Sequence, residues 1–320
     1  MGGTTNLKTF LVMAVLTAGI HCGADSAGSV IYVDATRNGD GSSWQKAHKY
    51  LQDGLANANS SYEPVEIRVA EGIYTPDRNL DDPNGSGDRR ATFKLINGVV
   101  LKGGYGGLRR PDPNLQDIQL YETILSGDLN GDDGPDFANN GENSYHVTTG
   151  SGTDARAILY GFTITGGNAN MSNNDSGGGM YNLSGSPAVN NCTFRGNSAQ
   201  YGGGMHNDNS SPMVINCTFS GNSAHYGGGM HNDDSAPIVT NSTFIENSAQ
   251  YGGGFRNDHS SLTLLNCTFI GNKAIKEGYG SGQGGGMYNA DSSSLTLTNC
   301  TFIENTAAGR FGRGGGMYNI

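Results

Sequence analysis

The sequence predicts an all-β fold, a parallel β-helix in which short strands stack coil upon coil. The first observation is a glycine tetrad, GGGM or GGGF, which begins at Gly177, Gly202, Gly227, Gly252, Gly284 and Gly314. The second is the motif Asn-(Cys/Ser)-Thr-Phe-x-x-Asn between tetrads, with its aromatic residue at Phe194, Phe219, Phe244, Phe269 and Phe302. Three of these phenylalanine intervals are 25 residues long and the fourth is 33. A fixed period of this length indicates a unit that must stack on copies of itself to bury its apolar face.

Composition agrees with a thin core and limits the partners. Glycine accounts for 52 of 320 residues, and only 35% of the chain is hydrophobic. The net charge of -10 argues against a nucleic acid partner, because no part of the chain could neutralise a run of phosphates.

The N-terminus is typical of an export signal. Lys8 supplies positive charge, residues 9–20 form an apolar run too short to span a bilayer, and residues 24–28 are mostly small. We therefore predict a signal peptide over residues 1–28 and a protein that is secreted or held at the outer cell surface. Lipidation of Cys22 is disfavoured because His21 stands where a small residue is needed. No later segment is apolar enough to form a transmembrane helix.

Within one coil, alternation places the inward residues. Leu295 and Leu297 share one strand face, and Cys300 and Phe302 share another, but the step between the pairs is odd. A corner at Asn299 returns all four residues to the interior, and asparagine tolerates the left-handed backbone that a corner needs. Equivalent corners fall at Asn191, Asn216, Asn241 and Asn266.

Two further asparagines mark the remaining corners. One series is Asn197, Asn222, Asn247, Asn272 and Asn305, and the other is Asn182, Asn207, Asn232, Asn257, Asn289 and Asn319. Between them come an inward alanine and the inward Met or Phe of each tetrad. This spacing predicts three strands and three corners per coil, with asparagines of successive coils hydrogen-bonded in ladders.

Four cysteines occupy one slot of the repeat: Cys192, Cys217, Cys267 and Cys300. Equivalent positions on adjacent coils lie about 4.8 Å apart with parallel side chains, which is awkward for a disulfide. We favour a file of small buried residues and leave a bridge between Cys192 and Cys217 open.

Residues 29–169 are interpreted as the same solenoid with longer loops, so that 29–320 form one domain and 170–320 its regular part. Ser43 is expected to cap a helix whose apolar face is Trp44, Ala47, Leu51, Leu55 and Ala58. This capping helix would cover the first coil. At the other end GGGMYNI stops at a corner, so we expect a partner or a missing C-terminal segment to cover the last coil.

Two groups of motifs resemble known families. The elements FRGN, FSGN, FIEN and FIGN, alternating with Gly-Gly tetrads, resemble the repeats of chlamydial polymorphic outer membrane proteins, although GGGM replaces the usual GGA and aliphatic residue. The segments IYVD, DGSSWQKAHKYLQDGL and IRVAEGIYTP are similar to the start of many secreted bacterial proteins with the pectin-lyase-like fold. The resemblance implies a right-handed parallel β-helix, a fold that carries lyases, hydrolases, adhesins and stalks alike.

Two charged columns are candidate chemistry. Asp208, Asp233 and Asp258 recur beside a basic column of His206, His231 and Arg256. Three stacked aspartates could bind calcium, but we favour corner residues copied with the repeat, in which the two columns offset each other's charge. In GDLNGDDG, residues 128–133 are similar to the first half of a calcium loop; Asp133 and Asn139 break that pattern, which favours a solvated turn.

One edge is the candidate ligand surface. Tyr201, Tyr226 and Tyr251 form a column that could stack on sugar rings or pack on itself. Three insertions, 170–176, 275–283 and 308–313, project at this edge and bring the cations Lys276, Arg310 and Arg313.

These features favour a structural or adhesive surface protein that binds a polysaccharide or cell-surface glycan, with no catalytic residues assigned. The alternative is a polysaccharide lyase or glycoside hydrolase, but no isolated cluster of carboxylates and bases stands out from the repeat.

Overall fold

The computed structural model describes residues 28–61, 64–275, 281–290, 292–309 and 311–320. The predicted signal peptide lies outside the described residues except for Gly28. From Ser29 onward the chain winds through coils whose strands pair only with the equivalent strands of neighbouring coils, and every strand pair is parallel. The architecture is therefore the predicted parallel β-helix.

The strands form four parallel sheets, three of which begin in the N-terminal coils, while the fourth begins at Asn168. Sheet 1 contains Ser29–Val33, Val65–Ala70, Val99–Tyr105, Ile158–Tyr160, Ala188–Asn190, Met213–Ile215, Ile238–Thr240, Ser261–Leu265 and Ser294–Thr298. Sheet 2 contains Gly72–Tyr74, Thr123–Ser126, Thr163–Thr165, Thr193–Arg195, Thr218–Ser220, Thr243–Ile245, Thr268–Ile270 and Thr301–Ile303. Sheet 3 contains Asn168–Ala169, Ser198–Tyr201, Ser223–Tyr226, Ser248–Ala249, Lys273–Ala274 and Thr306–Ala307. Sheet 4 contains Phe93–Lys94, Thr148–Thr149, Met180–Leu183, Met205–Asp208, Met230–Asp233, Phe255–Asp258, Met287–Asn289 and Met317–Asn319.

The prediction of three strands per coil is wrong, because each regular coil has four. The additional strand is the short Ser-Ala segment of sheet 3, because the inward alanine and the inward tetrad residue, expected together between the second and third corners, lie on two separate strands. Ser198–Tyr201, for example, pairs with Ser223–Tyr226 through Ser198, Ala199 and Tyr201. Two to four small or polar residues show no alternation of their own, so this segment becomes a strand only through pairing with its copies.

The interior consists of files of like side chains. The phenylalanine rings from Phe194 to Phe302 stack with centroid separations of 4.8, 4.8, 4.9 and 4.6 Å. The tetrad residues from Met180 to Met287 are completely buried. The cysteines are free thiols, as expected for a file of small residues, and Cys217 Sγ donates to the Ile215 carbonyl at 3.3 Å. Together with Leu125, Ile164 and Val189, these residues form one continuous core.

The first predicted corner is confirmed. Its asparagines have φ between +50° and +54°, the left-handed region, at Asn191, Asn216, Asn241, Asn266 and Asn299. At the second corner the left-handed residue is instead the one before the asparagine, a glycine in three coils and Glu246 or Glu304 in two. The asparagine there is free to point inward and hydrogen-bond its copies.

Two buried asparagine ladders follow from this arrangement. At the second corner, Asn222 Nδ2 donates to Asn247 Oδ1 at 2.9 Å, and Asn222 Oδ1 accepts from Asn197 Nδ2 at 3.0 Å. At the third corner, Asn207 Nδ2 donates to Asn232 Oδ1 at 2.8 Å. Each ladder satisfies polar groups that would otherwise be buried without partners.

The predicted capping helix is present but shorter than expected. Trp44–Lys46 is a separate 3-10 turn, capped by Ser43, and the α-helix runs only over Leu51–Asn59. The chain between them is extended because His48 pairs with Val33 at the edge of sheet 1. Trp44 therefore packs with Ala70 and Tyr105 outside the main core.

The α-helix packs Leu51, Leu55 and Ala58 into the main core at the first coils. It lies so close to the first strand that a Cβ atom on Gly54 would be 2.8 Å from Val33 Cγ2. Further 3-10 turns occur at Gly107–Arg109, Pro135–Phe137 and Asn140–Glu142. No helix within the described residues has the length and hydropathy needed to span a bilayer.

Candidate functional site

The predicted tyrosine column exists and lies on sheet 3. Tyr201 and Tyr226 stack with a centroid separation of 5.0 Å, and Tyr226 and Tyr251 with 5.5 Å, at interplanar angles of 13° in both cases. Rings stacked in this way turn their faces toward one another and their edges toward solvent. Of the two interpretations left open, stacking on sugar rings or packing on itself, the geometry favours packing.

The tyrosine hydroxyl groups remain available to a ligand. None of the three donates to or accepts from another described residue, and none is a buried unpaired atom. The hydroxyl groups therefore form a row with a spacing of about one coil, roughly 5 Å. Such a row offers the same donor and acceptor to each successive unit of a linear polymer.

A second file runs beside the tyrosines on sheet 4. Strand register aligns the outward residues that follow the inward Met or Phe: Tyr181, His206, His231, Arg256, Tyr288 and Tyr318. The side chains of the two files contact one another. The ring centroids of Tyr201 and His231 are 5.5 Å apart, and Arg256 Cζ lies 4.3 Å from the centroid of the Tyr226 ring. We call these two files together the aromatic strip.

Asp258 is the electrostatic centre of the strip. Its Oδ2 accepts from Arg256 Nε at 2.6 Å and lies 2.9 Å from His231 Nε2. Burial alone would raise the pKa of this carboxyl, but the hydrogen bonds from His231 and Arg256 outweigh it and lower the pKa to about 2. The basic column therefore offsets the acidic column at this coil, as we expected of a repeated corner.

His206 is the least satisfied group in the strip. It is only 6% exposed, and neither ring nitrogen has a hydrogen-bond partner in the described part of the chain. Burial, reinforced by neighbouring His231 and His146, holds its pKa well below the usual 6.5. The imidazole is therefore neutral at physiological pH and contributes a stacked ring, 4.9 Å from that of His231.

The three predicted metal-ligating aspartates lie in register but have different surroundings. Asp258 is paired as described, Asp208 accepts from Asn209 Nδ2 at 2.9 Å, and burial raises the pKa of Asp233. Within the described ranges, a different acidic group brings its ligand oxygens within 4.8 Å of one another: Asp128, Asp132 and Glu142.

The cationic edge is described in part. Lys276 and Arg310 lie outside the described residues. Arg313 is exposed and donates from Nη1 to the Tyr318 hydroxyl at 2.8 Å, which joins it to one end of the aromatic strip. The second and third insertions meet at this edge, where Ser281 pairs with Gly309.

The first insertion forms a shallow groove at the same edge. Its volume is about 350 Å³, and it is lined by Asn168, Asn170, Met171, Asp175 and Gln200 among others. A second groove of about 280 Å³ lies on sheet 2, where Glu122 accepts from Thr163 Oγ1 at 2.8 Å and faces Arg195 Nη1 at 3.3 Å.

Comparison with known proteins identifies the fold. The family described as "Right handed beta helix region" matches residues 136–302, more than half of the chain. The chain belongs to this right-handed β-helix family. The handedness inferred from the resemblance is thereby confirmed.

Two solved structures are similar to this right-handed β-helix. Pectate lyase Pel9A is 15% identical, with 87% of this chain and 79% of the lyase covered and a TM-score of 0.42. The pectin methylesterase from Aspergillus niger, in deglycosylated form, is 11% identical, with coverages of 89% and 86% and a TM-score of 0.35. The comparison with curated proteins yields no match.

Half of the second file of this right-handed β-helix, the file on sheet 4, was not predicted from the sequence. His206, His231 and Arg256 were singled out for their charge, whereas the tyrosines in the same register were omitted. The signal was present, because GGGM is followed by Tyr-Asn in the coils where it is not followed by His-Asn. A position that alternates between Tyr and His indicates a common aromatic role.

Proposed function

We propose that this right-handed β-helix is a non-catalytic structural and adhesive protein that binds an acidic glycan along its aromatic strip. Export to the cell surface or beyond is part of the proposal; it is supported by the predicted signal peptide and by the likeness of the repeats to polymorphic outer membrane proteins. The observation that carries the binding function is the row of tyrosine hydroxyls at Tyr201, Tyr226 and Tyr251, which have no hydrogen-bond partner among the described residues.

Charge supports an acidic ligand over a neutral one. The chain as a whole is acidic, yet exposed Arg313 and Lys273 lie at the C-terminal end of the strip, and the sequence adds Lys276 and Arg310. A linear polymer with carboxylate groups could follow the row of hydroxyl groups and place its acidic groups on this basic end.

The experiment measures binding and turnover together on acidic and neutral polysaccharides, for example polygalacturonate, alginate and dextran. We expect binding to the acidic polymers without unsaturated ends or new reducing ends. Tyr226→Phe retains the ring stack and removes one hydroxyl, so affinity should fall about three- to tenfold, the value of one hydrogen bond. Tyr160→Phe, on the outer face of sheet 1, is the matched control and should bind normally.

A polysaccharide lyase or glycoside hydrolase is the alternative. Turnover of any of these polymers would refute the non-catalytic proposal, and its loss in Glu122→Gln would assign the activity to the groove on sheet 2. Absence of binding, or equal binding by Tyr226→Phe and wild type, would refute the role of the strip.

A further inference from the structure

A long loop within one N-terminal coil contains a cluster of carboxylates that the repeats do not explain. It connects Thr123–Ser126 to Thr148–Thr149, and two 3-10 turns, Pro135–Phe137 and Asn140–Glu142, fold it back on itself. This fold brings one oxygen each of Asp128, Asp132 and Glu142 within 4.8 Å of the others. We call this group the acidic loop cluster.

The cluster is held in place by the backbone. Asp128 Oδ1 accepts from the amides of Gly131 at 2.6 Å and Asp132 at 3.2 Å, and its Oδ2 accepts from the amide of Asp133 at 3.1 Å. These bonds fix the first carboxylate. The Asp132 carboxylate is exposed and accepts no hydrogen bond from the part of the chain that the structure describes.

Two buried oxygen atoms at the cluster accept no hydrogen bond from any residue that the structure describes. Glu142 Oε1 is buried and has no hydrogen-bond partner. Asn143 is only 1% exposed; its Nδ2 donates to Asp133 Oδ2 at 2.7 Å, which directs the amide into the acidic loop, and its Oδ1 has no partner. A buried acceptor without a donor costs about 1–3 kcal/mol. This loop contains two such acceptors, Glu142 Oε1 and Asn143 Oδ1, together with the carboxylates of the cluster. A bound cation would satisfy both oxygens.

A bound cation would also relieve the mutual repulsion of the carboxylates. Asp128, Asp132 and Glu142 bring one oxygen each within 4.8 Å of the others, and Asp133 adds a fourth carboxylate to the same loop. The loop therefore concentrates negative charge where no basic side chain pairs with it among the described contacts.

We propose that the acidic loop cluster binds one Ca²⁺ through Asp128, Asp132 and Glu142, with Asn143 Oδ1 as the fourth protein oxygen. All candidate ligands are oxygen atoms, which excludes a preference for zinc or copper. Ca²⁺ accepts six to eight oxygens in irregular geometry, and exposed Asp132 leaves room for water, whereas Mg²⁺ demands a near-ideal octahedron.

The site would control where sheet 3 begins. Ser144, which follows the cluster directly, donates from its amide to the Gly127 carbonyl and accepts from the Asn168 amide, both at 2.8 Å. Asn168–Ala169 is the first strand of sheet 3. Binding of Ca²⁺ would therefore order the coil that contains the first strand of this sheet.

The test uses the full chain freed of metal by chelation and titrated with CaCl₂ by calorimetry, with MgCl₂ as the comparison. We expect a dissociation constant on the order of 10⁻⁴ M, as in extracellular calcium modules, and weaker binding of Mg²⁺. Asp132→Asn and Glu142→Gln should each weaken Ca²⁺ binding at least tenfold. The same two variants should raise the melting temperature of the metal-free protein, because they remove repulsion between carboxylates and leave the hydrogen bonds of Asp128 intact.

Asp136→Asn is the matched control, because Asp136 is exposed in the same loop but outside the cluster. It should bind Ca²⁺ as the wild type does. Absence of Ca²⁺ binding would overturn the proposal, as would equal affinity in Glu142→Gln and wild type. Loss of binding in Asp208→Asn alone would also overturn it, since the ion would then lie on the aspartate file of sheet 4.

Discussion

The two halves of the solenoid build the same core by different means. In coils from residue 177 onward, most core positions are filled by copies of one side chain or a close substitute for it, and the phenylalanine file is uniform. In the N-terminal half the same file continues through Ile164, Leu125 and Tyr74, which are aligned by strand register but chemically unlike. Burial in a coil therefore requires only an apolar residue of suitable size, whereas identity between coils adds stacking and ladders.

The halves also differ in where polar chemistry arises. In the regular half it comes from files, such as the buried asparagines and the aromatic strip, so each contact recurs. In the N-terminal half it comes from long loops whose contacts occur once, such as the acidic loop cluster. A file of identical side chains offers the same contact at each coil and therefore suits a repetitive polymer, whereas a loop that occurs once suits a compact ligand such as an ion.

The largest effect expected is on the phenylalanine file. Phe219→Ala should lower the free energy of unfolding by about 3–5 kcal/mol, because the ring is fully buried between Phe194 and Phe244. Phe219→Leu should cost clearly less, because leucine already fills this file at Leu125. Urea unfolding measures both, and equal losses would mean that stacking of identical rings, rather than burial, stabilises the regular half.

The asparagine ladder separates the halves further. Asn222→Ala should cost about 2–3 kcal/mol, because it leaves the buried backbone amide of Asn197 without its acceptor and removes the hydrogen bond from Asn222 Nδ2 to Asn247 Oδ1. Asn216→Ala, at the exposed first corner, should cost only about 1 kcal/mol for the left-handed backbone. The two variants are compared in the same urea experiment, and an equal cost would show that the ladder adds nothing beyond corner geometry.

The smallest effect expected is on the pH dependence of the strip. Since burial depresses the pKa of His206 below 6.5, the unfolded chain takes up the proton first, and stability falls as pH decreases below that value. The rings of Tyr181, Tyr201 and His231 pack against this imidazole, and the charge of Asp258 offsets only part of the cost of protonating it.

His206→Tyr removes the group that takes up this proton. Tyrosine fits the file, since it occurs there at Tyr181 and Tyr288. The slope of stability between pH 6.5 and 5 should decrease by up to about 1.4 kcal/mol per pH unit, measured by urea unfolding at each pH. An unchanged slope would place the acid sensitivity in the other buried histidines, His48, His146 and His231, whose pKa values are also lowered.

Much of the regular half could be predicted because the repeat itself carries the information. Asn191 and its copies were assigned to a left-handed corner, and the residues from Met180 to Met287 to the interior, from alternation and spacing alone. Stacking places each copy directly over the preceding one, so a structural assignment made for one coil applies to all five coils. The tyrosine column followed by the same reasoning, although the orientation of its rings did not.

The sequence by itself determined the period, the inward residues and the first corner. Each of these depends on neighbouring residues within one coil, and the same sequence pattern recurs in the next coil. Only the tertiary structure decided the fourth sheet, the break before the capping helix and the meeting of Glu142 with Asp128. These features depend on backbone pairing between coils or on loops that occur once, and neither leaves a local pattern in the chain.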